Sequence, residues 1–101
     1  MTALYLIEVS HPQGAYFPER NTADLTREAT IRDIRDGQFD GANRILCLSD
    51  NGTWADATVE IAQAILDDLD QEPHWDLQNF LENALGCRAV ADWYREMELV
   101  A

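Results

Sequence analysis

Apolar residues recur along this chain at helical spacing in four stretches and as short strand-like runs in three others. The most regular stretch is TWADATVEIAQAILDDLDQE, residues 53–72. At 100° per residue Trp54, Thr58, Ile61, Ala62, Ile65, Leu66 and Leu69 share one side, and Asp56, Glu60, Gln63, Asp67 and Gln71 the other. Thr53 is the expected N-cap, Asp56 three residues on completes a capping-box-like pair, and Pro73 ends the helix. An earlier helix is predicted over LTREATIRDIRDG. There Thr26 is the N-cap, Leu25 lies just outside, Ile31 and Ile34 face inward, and Gly37 forms the C-terminal turn. Leu77, Phe80, Leu81, Ala84 and Leu85 mark a third helix that stops at Gly86. Val90, Trp93, Tyr94 and Met97 mark a last one over about residues 88–98.

The strand-like runs are shorter. ALYLIEV, residues 3–9, is almost continuously apolar, which predicts a central, buried strand. Residues 10–14 read as a turn, and Ala15, Tyr16 and Phe17 as a short returning strand stopped by Pro18, making a loose hairpin. Residues 19–24 form a polar link. RILCLS, residues 44–49, is the third strand. Asn51-Gly52 suits a hairpin turn, but the helical pattern that follows suggests that it leads into the helix instead. The expected order is β-β-α-β-α-α-α. It describes one α+β domain, residues 1–101, with a small mixed or antiparallel sheet of about three strands packed with about four helices.

Composition adds constraints. With 101 residues, 47% of them apolar, the chain can build one modest core. No stretch approaches the ~18 apolar residues of a membrane span, and MTALYLIEVSH lacks the basic start and cleavage site of a signal peptide, so a cytoplasmic location is expected. Cys47 and Cys87 show no CxxC spacing and are expected to be free thiols. His11 and His74 each adjoin a proline, far apart, and belong to no zinc-ligand pattern.

Charge changes the picture most. Seven arginines and no lysine face 19 acids, a net of −12. Residues 1–49 hold seven acids and five arginines, a net of −2, whereas residues 50–101 hold twelve acids and only Arg88 and Arg95, a net of −10. Direct binding to nucleic acid or to an anionic membrane through that second half is repelled, and a basic partner is attracted.

Candidate chemistry is sparse. The run Asp67, Asp68, Asp70, Glu72, Asp76 lacks the spacing of an EF-hand loop. There is no GxSxG and no phosphate-binding glycine loop, and Cys47 sits inside ILCL as core thiols do. Trp54, Trp75 and Trp93 read as packing residues before they read as a stacking platform. An enzyme is therefore not expected, nor a metal or cofactor. The acidic helix face is the remaining feature. Asp67, Asp68, Asp70 and Glu72 stand at the C-terminal end of the long helix with no basic residue among them, where each opposes the macrodipole at a cost of ~0.3–1 kcal/mol. Asp56 and Glu60 are like charges one turn apart, about 6 Å along the axis. Carboxylates so spaced imitate the regular charge of a nucleic-acid backbone. The expected partner-binding residues are thus Asp56, Glu60, Asp67, Asp68, Asp70 and Glu72, with Trp75 as an aromatic anchor.

A short, acidic, lysine-free chain without catalytic motifs resembles the small accessory proteins of phages and mobile elements, among them the anti-CRISPR proteins. The resemblance is carried by composition, chiefly in ADATVEIAQAILDDLDQE and DLQNFLENAL, and covers about the second half. It implies a stoichiometric inhibitor that occupies a positively charged guide or target-DNA surface of a Cas effector complex. A nuclease-inhibiting immunity protein would share that mechanism. The other expectation is a small structural or assembly module that forms a homodimer through an apolar surface.

Overall fold

The structure, a computed structural model, describes residues 3–100. It is an α+β arrangement in which one antiparallel sheet, ordered β1-β2-β3, carries four helices on one face. Along the chain come β1 (Leu4–Val9), a 3-10 turn (Thr22–Asp24), α1 (Arg27–Arg35), β2 (Ala42–Leu48), β3 (Trp54–Asp56), α2 (Thr58–Asp67), α3 (Trp75–Leu85) and α4 (Cys87–Val100).

The α+β class and the count of strands and helices agree with the sequence reading, while the order becomes β-α-β-β-α-α-α. Two strands account for the difference. Residues 15–17 make only one bridge, Val9 to Tyr16, because Pro18 removes the next ladder donor. The segment beginning at Trp54, read as helix, is instead the third strand. Its register sets Trp54 opposite Leu48 and Asp56 opposite Leu46.

Asn51-Gly52 makes the hairpin turn that joins β2 to β3. The Asn51 side-chain oxygen accepts from the Thr53 N–H at 3.0 Å and from the Ser49 hydroxyl at 2.6 Å, and Gly52 takes the φ of +82° that such a turn demands. Thr53 is consequently no helix cap. Helix α2 starts four residues later than its apolar pattern suggests, because Trp54 and Asp56 alternate as strand residues before the 3.6-residue period takes over.

Helix α1 is capped as read: the Thr26 hydroxyl accepts from the Ala29 N–H at 3.1 Å. Helix α3 is capped by His74, whose Nδ1 accepts from the Leu77 N–H at 3.3 Å.

Strand alternation sends Ile7 and Val9 of β1 and Ile45 of β2 toward the helices. There they meet Ile34 of α1, Ile61, Ala62, Ile65 and Leu66 of α2, Leu77, Phe80 and Leu81 of α3, and Val90 of α4. Trp54, read as part of the helical core face, is 51% exposed on the other side of the sheet. The central strand is β2, not β1. Strand β1 is an edge covered by irregular chain: its Tyr5 N–H donates to the Leu25 carbonyl at 2.8 Å, and its Tyr5 carbonyl accepts from Arg20 at 3.0 Å.

Arg20 holds this edge together. Its guanidinium also donates to the Asp24 carbonyl, to the Thr30 hydroxyl at 3.2 Å and to Asp33 at 3.2 Å, and lies 5.7 Å from the centre of the Phe39 ring. One side chain, only 4% exposed, thus ties the polar link at 19–24 to β1 and α1.

On the outer face, Glu8 accepts from Arg44 at 2.8 Å and from Asn43 at 3.0 Å, and these two donors hold its carboxyl below the usual glutamate range. A depressed folded-state pKa means that this contribution to stability is present above the unfolded glutamate value and disappears as the pH falls through the folded one. Glu8→Gln is expected to lower the urea midpoint at pH 7 by more than at pH 3. Equal losses at both pH values contradict the pairing.

Candidate functional site

The seven residues expected to meet a partner do not form one patch. Asp56 belongs to β3, and its carboxylate accepts from the N–H of Thr58, the first residue of α2, at 2.8 Å; hydrogen bonding to Thr58, first to its side chain and then to its backbone, lowers the Asp56 pKa. Glu60, one turn into α2, is bound by Arg27 of α1 at 3.1 Å. Both sit at the N-terminal end of α2, where negative charge is favourable to the helix dipole. They are structural groups, one of them neutralised by the chain's own arginine.

The other acids gather at the opposite end of α2. The helix stops at Asp67, five residues before the expected Glu72. The Asp68 and Leu69 N–H groups turn back to the Ile65 and Leu66 carbonyls at 3.2 and 3.3 Å, and the chain then runs irregularly to His74. Pro73 disfavours helical geometry at Glu72, and a row of uncompensated acids weakens the last turn. Asp68, Asp70 and Glu72 therefore leave the helix and line a hollow of about 330 Å³ together with Arg35, Asp36 and His74.

Asp67, the last helical residue, accepts from Gln63 at 2.7 Å and lines a neighbouring hollow with Asp92, Trp93, Glu96 and Met97 of α4. Leu69 borders both hollows, so they adjoin. The result is an acidic band from α4 across the end of α2 and along the α2–α3 connection to the end of α1. Glu72 and Glu82 extend it toward Tyr94, whose hydroxyl pKa is raised first by burial and then by those two carboxylates.

Neutralisation is uneven. Among the described residues Arg20, Arg32, Arg35 and Arg44 pair with acids of the first half, at Asp33, Asp24, Asp36 and Glu8. Among the described residues of the second half only Glu60 and Asp92 take a guanidinium, from Arg27 and Arg95. Asp67, Asp68, Asp70, Glu72 and Glu96 of the band have no ion pair among the described residues.

Trp75, the expected aromatic anchor, opens α3 and is 72% exposed, the most exposed of the large apolar side chains among the described residues. It borders a third hollow with Asp40 and Asp76 and not the band itself. Sequence reasoning missed this grouping, since Asp40 and Asp76 lie far apart in the chain and only the fold joins them. Asp92 and Glu96 were within reach of it. They stand at i and i+4 on the last helix, on the side away from Val90.

Among the described residues no group of three histidine, cysteine or acidic side chains is placed to hold a metal ion, and no helix is long and apolar enough to cross a membrane. Comparison with protein-family models, curated proteins and solved structures finds no match to this chain.

Proposed function

We propose that this protein is a non-enzymatic, stoichiometric inhibitor that covers the cationic nucleic-acid-binding surface of a basic partner. A Cas effector complex is the partner of this kind that the compositional resemblance implies. The observation that carries the reading is the acidic band: Asp67, Asp68, Asp70 and Glu72 converge at one end of α2, and among the described residues none of them forms an ion pair, Arg35 beside them being paired with Asp36. Partner arginines would pair with these carboxylates, setting association rate and specificity more than affinity.

The test is competition. A basic, nucleic-acid-binding protein captured by this chain should release labelled DNA as the chain is added, and the release should weaken steeply between low and high salt. Binding of the partner with DNA still attached, at every salt concentration, contradicts it.

A specific feature favours a second reading, an assembly module. The sheet face away from the helices presents Leu4, Leu6, Leu46, Leu48 and Trp54, set opposite one another by the strand register and outside the helical core. Self-association through this face predicts a dimer in sedimentation experiments that Leu46→Asp converts to monomer. A monomer at every concentration removes this reading and leaves the first untouched.

A further inference from the structure

Helix α3 is capped by a group that can lose its capping atom. His74 holds the N-cap position in extended backbone geometry, and its Nδ1 accepts from the Leu77 N–H at 3.3 Å. A ring nitrogen that accepts carries no proton, so this hydrogen bond assigns the neutral ring with its proton on Nε2. Serine, threonine, asparagine and aspartate, the usual caps, keep an acceptor oxygen from neutral to mildly acidic pH. Among cap residues histidine alone surrenders its acceptor in that range. The side chain is exposed, so protons reach it directly from solvent.

The surroundings of the ring decide where it goes once charged. Toward α1 it is blocked: a Cβ at Gly37 would lie 2.9 Å from Nε2 and 3.1 Å from Cε1. The ring also lines the hollow of about 330 Å³ at the end of α2, together with Arg35, Asp36, Asp68, Asp70 and Glu72. Arg35 is occupied by Asp36 at 3.2 Å, whereas among the described residues Asp68, Asp70 and Glu72 form no ion pair. Asp76 adds a carboxylate from the first turn of α3. The end of α1 thus presents a neutralised pair and the α2–α3 connection three unpaired anions. An imidazolium is repelled by the positive N-terminal end of α3 and drawn to those anions.

We infer that His74 is a pH-operated latch: neutral, it caps α3, and protonated, it releases the Leu77 N–H and turns into the hollow toward Asp68, Asp70 and Glu72. The first turn of α3, which begins at Trp75, then loses its side-chain cap, and the acidic band gains a positive charge. The consequence for binding rests on the proposed function, in which that band meets a basic partner. Such a partner is held more weakly in mild acid.

The experiment is an NMR titration of the isotope-labelled full chain from pH 8 to pH 5.5, followed at the His74 ring carbons and the Leu77 amide. One shared midpoint is expected, with the Leu77 amide moving as its hydrogen bond is lost. His11, whose Nδ1 accepts from the Gln13 N–H at 3.2 Å in an exposed turn, is the internal control, and its titration should leave Leu77 unmoved. His74→Asn keeps a cap at every pH and should abolish the Leu77 movement. A fluorescent oligo-arginine peptide, whose charge is constant over this range, should bind about two- to fivefold more weakly at pH 5.5 than at pH 7.5, the effect of one exposed charge. In His74→Asn that weakening should be smaller.

A His74 ring that stays neutral down to pH 5.5, or a Leu77 amide that stays in place while the ring titrates, overturns the latch. Both outcomes are read in the parent chain, so they decide even where the variant does not fold. Equal Leu77 movement in His74→Asn overturns it as well, because the carboxylates would then be the titrating groups. Equal weakening of peptide binding in both chains overturns the link between latch and band. A peptide that binds at neither pH, with the latch visible at Leu77, discards the acidic-band reading and keeps the latch.

Discussion

An Arg20→Ala variant is expected to lose about 3 kcal/mol of unfolding free energy. That is the lower end of the ~3–5 kcal/mol typical of breaking a buried ion pair, and it is lower because Asp33 keeps a second guanidinium, Arg32, at 3.1 Å. The cost has identifiable parts. Removing Arg20 strands the carbonyls of Tyr5 and Asp24, leaves Thr30, fully buried, without that donor, and takes a cation from the Phe39 ring. For a small domain with a stability of ~5–15 kcal/mol this is a large fraction. Arg20→Lys should recover little of it, since a single ammonium on a flexible stem cannot reach the two carbonyls, the hydroxyl and the carboxylate that the planar fork serves. Urea denaturation monitored by tryptophan fluorescence decides the matter. A loss below about 1 kcal/mol, the range of an exposed pair, contradicts the role given to Arg20.

The second large effect is on binding. Reversing Asp67, Asp68 and Asp70 to lysine is expected to weaken partner binding by about a hundredfold or more, because each like-charge juxtaposition at such an interface costs several kcal/mol. The same change should not unfold the domain. These acids stand at or just beyond the C-terminal end of α2, where each opposes the helix dipole by ~0.3–1 kcal/mol and where lysine is favourable. Within the fold the substitutions break only the surface hydrogen bond that Gln63 donates to Asp67. A thermal midpoint equal to or above that of the parent chain therefore accompanies the weakened binding. Unfolding of the variant would show instead that the acids are part of the scaffold.

These two expectations also mark what could be read in the sequence. Helices α3 and α4, the Thr26 cap and the Gly37 stop of α1 were legible because local periodicity and capping chemistry agree there. Trp54 to Asp56 was misread because its residues fit both a helix and a strand period. The deciding factor, pairing with Leu46–Leu48 across the Asn51-Gly52 turn, is a tertiary one. Arg20 looked like part of a polar link, since nothing local signals that its side chain would be buried among the groups of β1, α1 and the 3-10 turn.

The acidic site divides along the same line. The confinement of negative charge to the second half is visible in composition, and so is the unfavourable placement at the end of α2. That Asp56 would bind the Thr58 N–H at the start of α2 and Glu60 would pair with Arg27 depends on where β3 ends and where α1 lies. Asp36, Asp92 and Glu96 enter the band from other elements for the same reason. Charge asymmetry is a sequence property, whereas its division into spent and unspent carboxylates is a property of packing.

The most direct test of the central claim is a DNA-release titration on the captured basic partner, run with the parent chain and with the triple lysine variant at equal fold stability. The account predicts that the parent frees the DNA at about one equivalent and that the variant frees none over the same range. Equal release by both chains would show that the unpaired carboxylates of the α2–α3 connection do not make the contact.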